Sequence, residues 1–141
     1  MEDYIKLSYD VDGDDFVLCG RASEDVKRTL KNVGIPAEVI RKVAIAMYEG
    51  EINMVIHANG GKAEVEIHRD RIVIYLTDTG KGIADIEQAM QEGFSTATDE
   101  IRELGFGAGM GLPNMKKYSD KMNIESEVGK GTRVTLEFLL N

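Results

Sequence analysis

Residues 37–58 carry apolar side chains on most sides of a helix: Val39, Ile40, Val43, Ile45, Met47, Ile52, Val55 and Ile56. Pro36 stands where a helix opens, and Asn59-Gly60-Gly61 stands where one stops. A long helix that is apolar on most sides has to be buried. It needs other layers around it, and each polar residue within it requires a reason. A chain of 141 residues can supply those layers as a single domain, 1–141, without disulfide staples.

The rest of the chain reads as those layers. Residues 4–9 alternate, with Ile5 and Leu7 set against Lys6 and Ser8, and 16–19 form a second short apolar run. The Asp-Gly between them signals a hairpin, or two strands with a loose turn. Ser23 is the expected N-cap of a first helix, with Glu24 and Asp25 in its opening turn. Val26, Leu30 and Val33 mark its apolar face, and Gly34 its stop. Residues 63–68 and 72–77 alternate as strands, and 85–92 read as a short helix. The segment 93–110 has few periodic apolar residues and reads as a loop or lid. A short helix over 112–119 precedes strands at 122–127 and 132–139, which flank Gly129-Lys130-Gly131. Strands at both ends with helices between predict an α+β fold: a mostly antiparallel sheet with helices on one face.

Composition removes several functions. Asp and Glu number 25 against 17 Lys and Arg, a net charge of -8. Direct nucleic-acid binding needs a basic face and is not expected. Cys19 is the sole cysteine, so neither an internal disulfide nor a Cys-based zinc site can form. A cytoplasmic location is the simplest expectation. Residues 1–10 are acidic and mixed, unlike a signal peptide, and the apolar run 43–47 is too short to span a bilayer.

Four constellations can carry chemistry. Glu49 and Asn53 lie four apart on the long helix, hence on one face, with His57 continuing the line. A carboxylate can polarise a water or a substrate hydroxyl, and an amide oxygen is a hard ligand suited to Mg²⁺ alongside phosphates and water. The same residues, with Lys42, equally describe a solvated stripe. Second, Asp78-Thr79-Gly80-Lys81-Gly82-Ile83 follows a strand. Its glycines let backbone approach a flat ligand, and its aspartate can accept from an exocyclic amine such as that of adenine; it also fits an Asx-type turn. Third, Gly107, Gly109 and Gly111 alternate before Leu112 and a helix start, a phosphate cradle or a plain surface loop. No GxGxxG stands between a strand and a helix near the start of a βαβ unit, and there is no GxxxxGK[ST]. Fourth, Thr132 follows Gly129-Lys130-Gly131; its hydroxyl can meet a base edge, or it simply starts a strand.

Taken in order, Glu49-x-x-x-Asn53, Asp78-x-Gly80-x-Gly82, Gly107-x-Gly109-x-Gly111-Leu112 and Gly131-Thr132 resemble the motif set of the Bergerat (GHKL) ATP-binding domain, over essentially the whole chain. Gyrase B, Hsp90, MutL and the sensor histidine kinases belong to that family. The chain looks most like the small anti-sigma-factor serine/threonine kinases. Their switch-kinase branch is matched by Glu92-Gly93-Phe94-Ser95-Thr96, Gly107 to Pro113 and Ile124-Glu125-Ser126, whereas 97–106 looks longer than that branch's lid.

The resemblance implies a Bergerat-type α/β sandwich with a glycine-rich ATP lid. It implies ATP and Mg²⁺ as cofactors, Glu49 as general base or water-orienting carboxylate, and Asn53 as the Mg²⁺ ligand. Asp78 would accept from the adenine amine with Thr132 in support. Gly80, Gly82 and Ile83 would shape the base pocket, and Gly107, Gly109, Gly111 and Leu112 would lie along the phosphates. Lys62 and Lys117 are candidate phosphate cations. The implied function is phosphorylation of a small STAS-domain protein; the alternative is an anti-sigma factor that sequesters an RNA polymerase sigma subunit under nucleotide control. Homodimerisation would make Ile5, Leu7 and Phe16 an interface. A sensor histidine kinase core is disfavoured, since the residues before Pro36 read partly as strands and are too few for two helices of average length. Gyrase-like DNA work is disfavoured because no transducer domain follows Asn141.

Overall fold

The computed structural model describes residues 4–12, 20–58, 60–80, 90 and 111–140, with backbone alone for 12, 56–58 and 111. Among these residues the elements run β1 (Ile5–Asp12), α1 (Arg21–Asn32), α2 (Ala37–Ala58), β2 (Gly60–Ile67), β3 (Arg71–Asp78), α3 (Gly111–Tyr118), β4 (Lys121–Glu127) and β5 (Gly131–Leu139). The expected apolar run at 16–19, the helix at 85–92 and the lid at 93–110 lie outside the described residues. No helix among the described residues is long and apolar enough to cross a membrane.

The five strands form one sheet in the order β1-β2-β3-β5-β4, with every pairing antiparallel. β5 sits between β3 and β4 because the chain starts β4 at the edge and turns back into the gap. The register aligns apolar residues in rows: Val65 faces Ile74, which faces Leu136, and Ile67 faces Ile72, which faces Phe138. Side chains alternate across a strand, so these rows share one face and bury together. The opposite face is polar. There Lys6 pairs with Glu64 at 3.1 Å, and the Arg133 guanidinium lies 5.0 Å from the Tyr75 ring centroid. The strand β1 pairs with β2; any hairpin with 16–19 falls outside the described residues.

The helix α2 begins and ends at the predicted residues. Ile40, Val43, Ala46, Met47 and Met54 join the core formed with the apolar sheet face. Gly50 brings the helix down onto β3: a Cβ there would stand 2.3 Å from Leu76 Cδ1. With helices α1 and α3 packed beside α2, the α+β architecture with one helical face is as expected.

Two local expectations are corrected. The helix α1 starts at Arg21 with Gly20 as N-cap, so Ser23 lies inside the first turn. The Ser23 hydroxyl donates to the Gly20 carbonyl at 2.9 Å, and a different residue caps the helix. Glu51 of α2, 2% exposed, accepts from Gly20 N at 2.9 Å and Ser23 N at 2.7 Å. Orphan N–H groups and the positive helix end favour a carboxylate there. A cap donated by another helix leaves no local signature in α1. Val33 is 44% exposed rather than part of the apolar face, because the chain leaves the helix there. Gly34 then turns with φ +83°, and Ile35 N donates back to the Leu30 carbonyl at 3.0 Å.

Tyr9 ties β1 to α1 by donating its phenol proton to Asp25. Burial, then the bond to Asp25, raises the Tyr9 pKa well above the usual tyrosine value. A raised tyrosine pKa means the folded state holds its proton more tightly than the unfolded chain does. The contribution is full below the unfolded pKa and is lost as pH rises through the folded one. Stability is expected to fall as pH rises above about 10, and Tyr9→Phe should flatten that fall in urea titrations across alkaline pH. Glu51→Ala strands two buried N–H donors and should cost about 2–4 kcal/mol, read from the urea midpoint at neutral pH.

Candidate functional site

The site residues converge at the C-terminal end of β3. Asp78 Oδ1 accepts from Gly80 N at 2.9 Å, which closes an Asx-type turn, and from Thr132 N of β5 at 3.2 Å. One carboxylate oxygen therefore holds both the loop after β3 and the start of β5. The other oxygen, Oδ2, has no hydrogen-bond partner among the described residues. Asp78 and Thr132 are also Cα partners in the sheet.

Glycines make the approach possible. Gly131 has φ +123°, and a Cβ on it would stand 2.1 Å from the Asp78 carbonyl oxygen and 2.8 Å from Thr79 Cα. Gly61 plays the same part from β2. A Cβ there would lie 2.5 Å from Thr77 O, 2.8 Å from Met54 Sδ and 3.1 Å from Asp78 Cβ. The turn of α2 that carries Asn53 and Met54 therefore reaches the Asp78 end of β3.

On α2, Glu49 and Asn53 are both half-buried. Glu49 Oε1 accepts from Asn114 Nδ2 of α3 at 3.3 Å. That bond links the first turn of α3, which begins at Gly111 and Leu112, to the helix bearing Glu49. Asn53 has no hydrogen-bond partner among the described residues. Among the described residues the arrangement offers an unpaired carboxylate oxygen and a hydroxyl at a strand end, an unpaired amide and a carboxylate on one helix, and a second helix start.

Sequence reasoning named Asp78, Gly80 and Thr132, and the structure joins these three directly. It brings Glu49 together with α3, and Asn53 to the neighbouring turn. Gly82, Ile83, Gly107 and Gly109 lie outside the described residues, as does the His57 side chain. Lys62 is exposed on β2 opposite Thr77, next to Asp78. The Lys117 ammonium lies 5.4 Å from the Tyr118 ring centroid at the far end of α3 from Gly111. His68, to which the sequence gave no partner, meets Glu66 at 3.1 Å and stacks on Tyr4. Asn114, Gly61 and Ser126 were missed. Ser126 ends the Ile124-Glu125-Ser126 stretch, Asn114 directly follows Pro113 and Gly61 ends the Asn59-Gly60-Gly61 helix stop, but their roles come from packing between distant elements.

Residues 39–141 match the family described as histidine kinase-, DNA gyrase B-, and HSP90-like ATPase. The chain belongs to this family. An ATPase domain of this kind implies ATP as its ligand. Among its relatives, an anti-sigma F factor of Caldanaerobacter subterraneus subsp. tengcongensis is 38% identical over 104 residues, covering 70% of this chain and 69% of the relative. The serine/threonine-protein kinase RsbT of Bacillus subtilis is 30% identical over 112 residues, covering 77% of this chain and 78% of the relative. A solved structure of the RsbU and RsbW domains of Rv1364c from Mycobacterium tuberculosis superposes with a TM-score of 0.64 at 16% identity, over 96% of this chain and 32% of that one. At that identity the likeness is one of fold.

The glycine at the strand junction gives a direct test. Gly131→Ala should destabilise by about 3 kcal/mol, since it adds a backbone clash to an unfavourable φ. Gly129→Ala, at φ +85° in open space, should cost about 1–2 kcal/mol. Parallel urea unfolding of the two variants checks the difference.

Proposed function

We propose that this chain, as a single domain over 1–141, is an ATP- and Mg²⁺-dependent protein serine/threonine kinase whose substrate is a small STAS-domain protein. The observation that carries the reading is the convergence of Asp78, Gly80 and Thr132 beside the helix bearing Glu49 and Asn53, in a member of an ATPase family. The relative named as a serine/threonine-protein kinase supports the reaction class.

The residues present suit both groups. Asp78 Oδ2 is open to accept from the adenine amine, and Gly61 and Gly131 clear side chains from its surroundings. Thr132 would support the same edge, and Gly80, Gly82 and Ile83 are proposed to contribute to the base site. Gly107, Gly109, Gly111 and Leu112 are proposed to serve the phosphates. Among the described residues no group of three or more His, Cys, Asp or Glu could cage a metal. Magnesium keeps several waters and takes few protein ligands beside phosphates, so the side-chain oxygen of Asn53 could hold it together with phosphate oxygens and water. When bound, the ion would neutralise charge on the phosphates.

In the reaction, Glu49 takes the proton of the substrate serine or threonine hydroxyl. The hydroxyl oxygen bonds to the γ-phosphorus as the bond to ADP breaks. Asn114 holds the Glu49 carboxylate from α3, so the base is oriented before substrate arrives. Transfer of this kind depends on positioning and charge neutralisation more than on covalent chemistry.

A second reading has its own support: the 38% identical relative is named an anti-sigma F factor. On that reading the chain sequesters a sigma subunit, with nucleotide tuning the choice of partner. Dimerisation through β1, where Ile5 is exposed, fits either reading.

Calorimetry should show ATP binding that weakens at least tenfold on Asp78→Asn and on chelation of Mg²⁺. Glu49→Ala should retain ATP binding and lose at least a hundredfold of transfer to a STAS-domain protein, within the usual range for a general base. Absence of ATP binding by the unmodified chain would refute the proposal. ATP binding with sigma capture and no transfer would favour the second reading.

A further inference from the structure

We propose that Ser126 is a positioning residue that sets the direction of the Thr132 hydroxyl and thereby makes the base pocket read the group at purine position 6. The inference rests on the ATP reading above and adds to it a residue and a rule of selection. Ser126 on β4 is the Cα partner of Thr132 on β5, so the sheet register holds the two hydroxyls together. Ser126 Oγ lies 3.1 Å from the Gly131 carbonyl oxygen and 2.8 Å from Thr132 Oγ1.

The direction of these bonds follows from donor arithmetic. A carbonyl oxygen only accepts, so the contact with Gly131 uses the single hydroxyl hydrogen of Ser126. The bond between the hydroxyls then takes its hydrogen from Thr132. The Thr132 oxygen is left with lone pairs to present to a ligand. Beside it, Asp78 Oδ1 is occupied by two backbone N–H donors, and Oδ2 has no donor among the described residues. Both side chains at this edge therefore accept and neither donates.

An acceptor-only edge suits an exocyclic amine, which supplies two hydrogens. A carbonyl at the same position brings lone pairs toward lone pairs and supplies no hydrogen of its own to the acceptors that face it. Sites built on hydrogen bonds reject such analogues strongly, because the buried partners lose their bonds. Removing the Ser126 hydroxyl frees Thr132 to rotate and donate, which relieves the mismatch with a carbonyl. The relay runs from a main-chain carbonyl through Ser126 to Thr132, so a residue that need not touch the base governs what the base edge meets.

The test is calorimetric binding of three nucleotides to the full chain with Mg²⁺: ATP, inosine triphosphate with its 6-carbonyl, and purine riboside triphosphate with hydrogen at that position. The unmodified chain should bind ATP most tightly, purine riboside triphosphate next and inosine triphosphate least. Ser126→Ala should lower the ratio of ATP to inosine triphosphate affinity about tenfold, the loss of about one hydrogen bond's discrimination. Ser126→Thr, which keeps the hydroxyl, should retain the ratio. A merely structural role for Ser126 would weaken all three nucleotides in parallel, and that result overturns the inference. So does inosine triphosphate binding to the unmodified chain as tightly as purine riboside triphosphate, a measurement that needs no variant to fold. Failure of the unmodified chain to bind ATP removes the ATP reading and this inference together; ATP binding with an unmoved ratio in Ser126→Ala removes this inference alone.

Discussion

The structure depends on the close approach of α2 to β3 at Gly50, where the helix brings no side chain of its own. Leu76 fills the space that a Cβ would take. That contact fixes the height of the helix above the sheet. From there the helix turn with Asn53 and Met54 comes beside the end of β3, where Gly61 clears the way to Asp78. A bulkier residue at either glycine would lift the helix or push the strand, and the two halves of the candidate site would separate. Close packing leaves little slack for such shifts.

Charge is handled economically around this core. The buried Glu51 accepts two main-chain hydrogen bonds at the start of α1, and no salt bridge to it is present among the described residues. It stands two residues from Glu49, on the same helix, yet serves a different end. Glu49 is half-buried and, among the described residues, is hydrogen-bonded to the amide of Asn114. One carboxylate is locked into a helix cap and the other is held loosely at the edge of a second helix.

The candidate site was partly legible because its residue types are unusual where they occur. An aspartate followed by Gly-x-Gly after a strand, and a Gly-Thr pair opening another, are strong local signals. Their contact with each other was legible only through the resemblance, since 54 residues separate Asp78 from Thr132. Asn114 and Ser126 escaped because an asparagine on a short helix and a serine on an edge strand have many uses. Ser23 misled because a serine before two acidic residues matches an N-cap locally, while the actual cap comes from 28 residues away.

By itself the sequence determined the elements and their faces: the bounds of α2, the alternation of β2, β3 and β5, and the turns at Gly34 and Gly129-Lys130-Gly131. These are local matters of periodicity and backbone preference, which each segment carries within itself. The tertiary structure decided the strand order, with β5 inserted between β3 and β4, and the partners of Glu49, Glu51 and Asp78. Those pairings join segments far apart in the chain. Their free energy comes from burial and hydrogen bonds that exist only once the sheet and helices have come together.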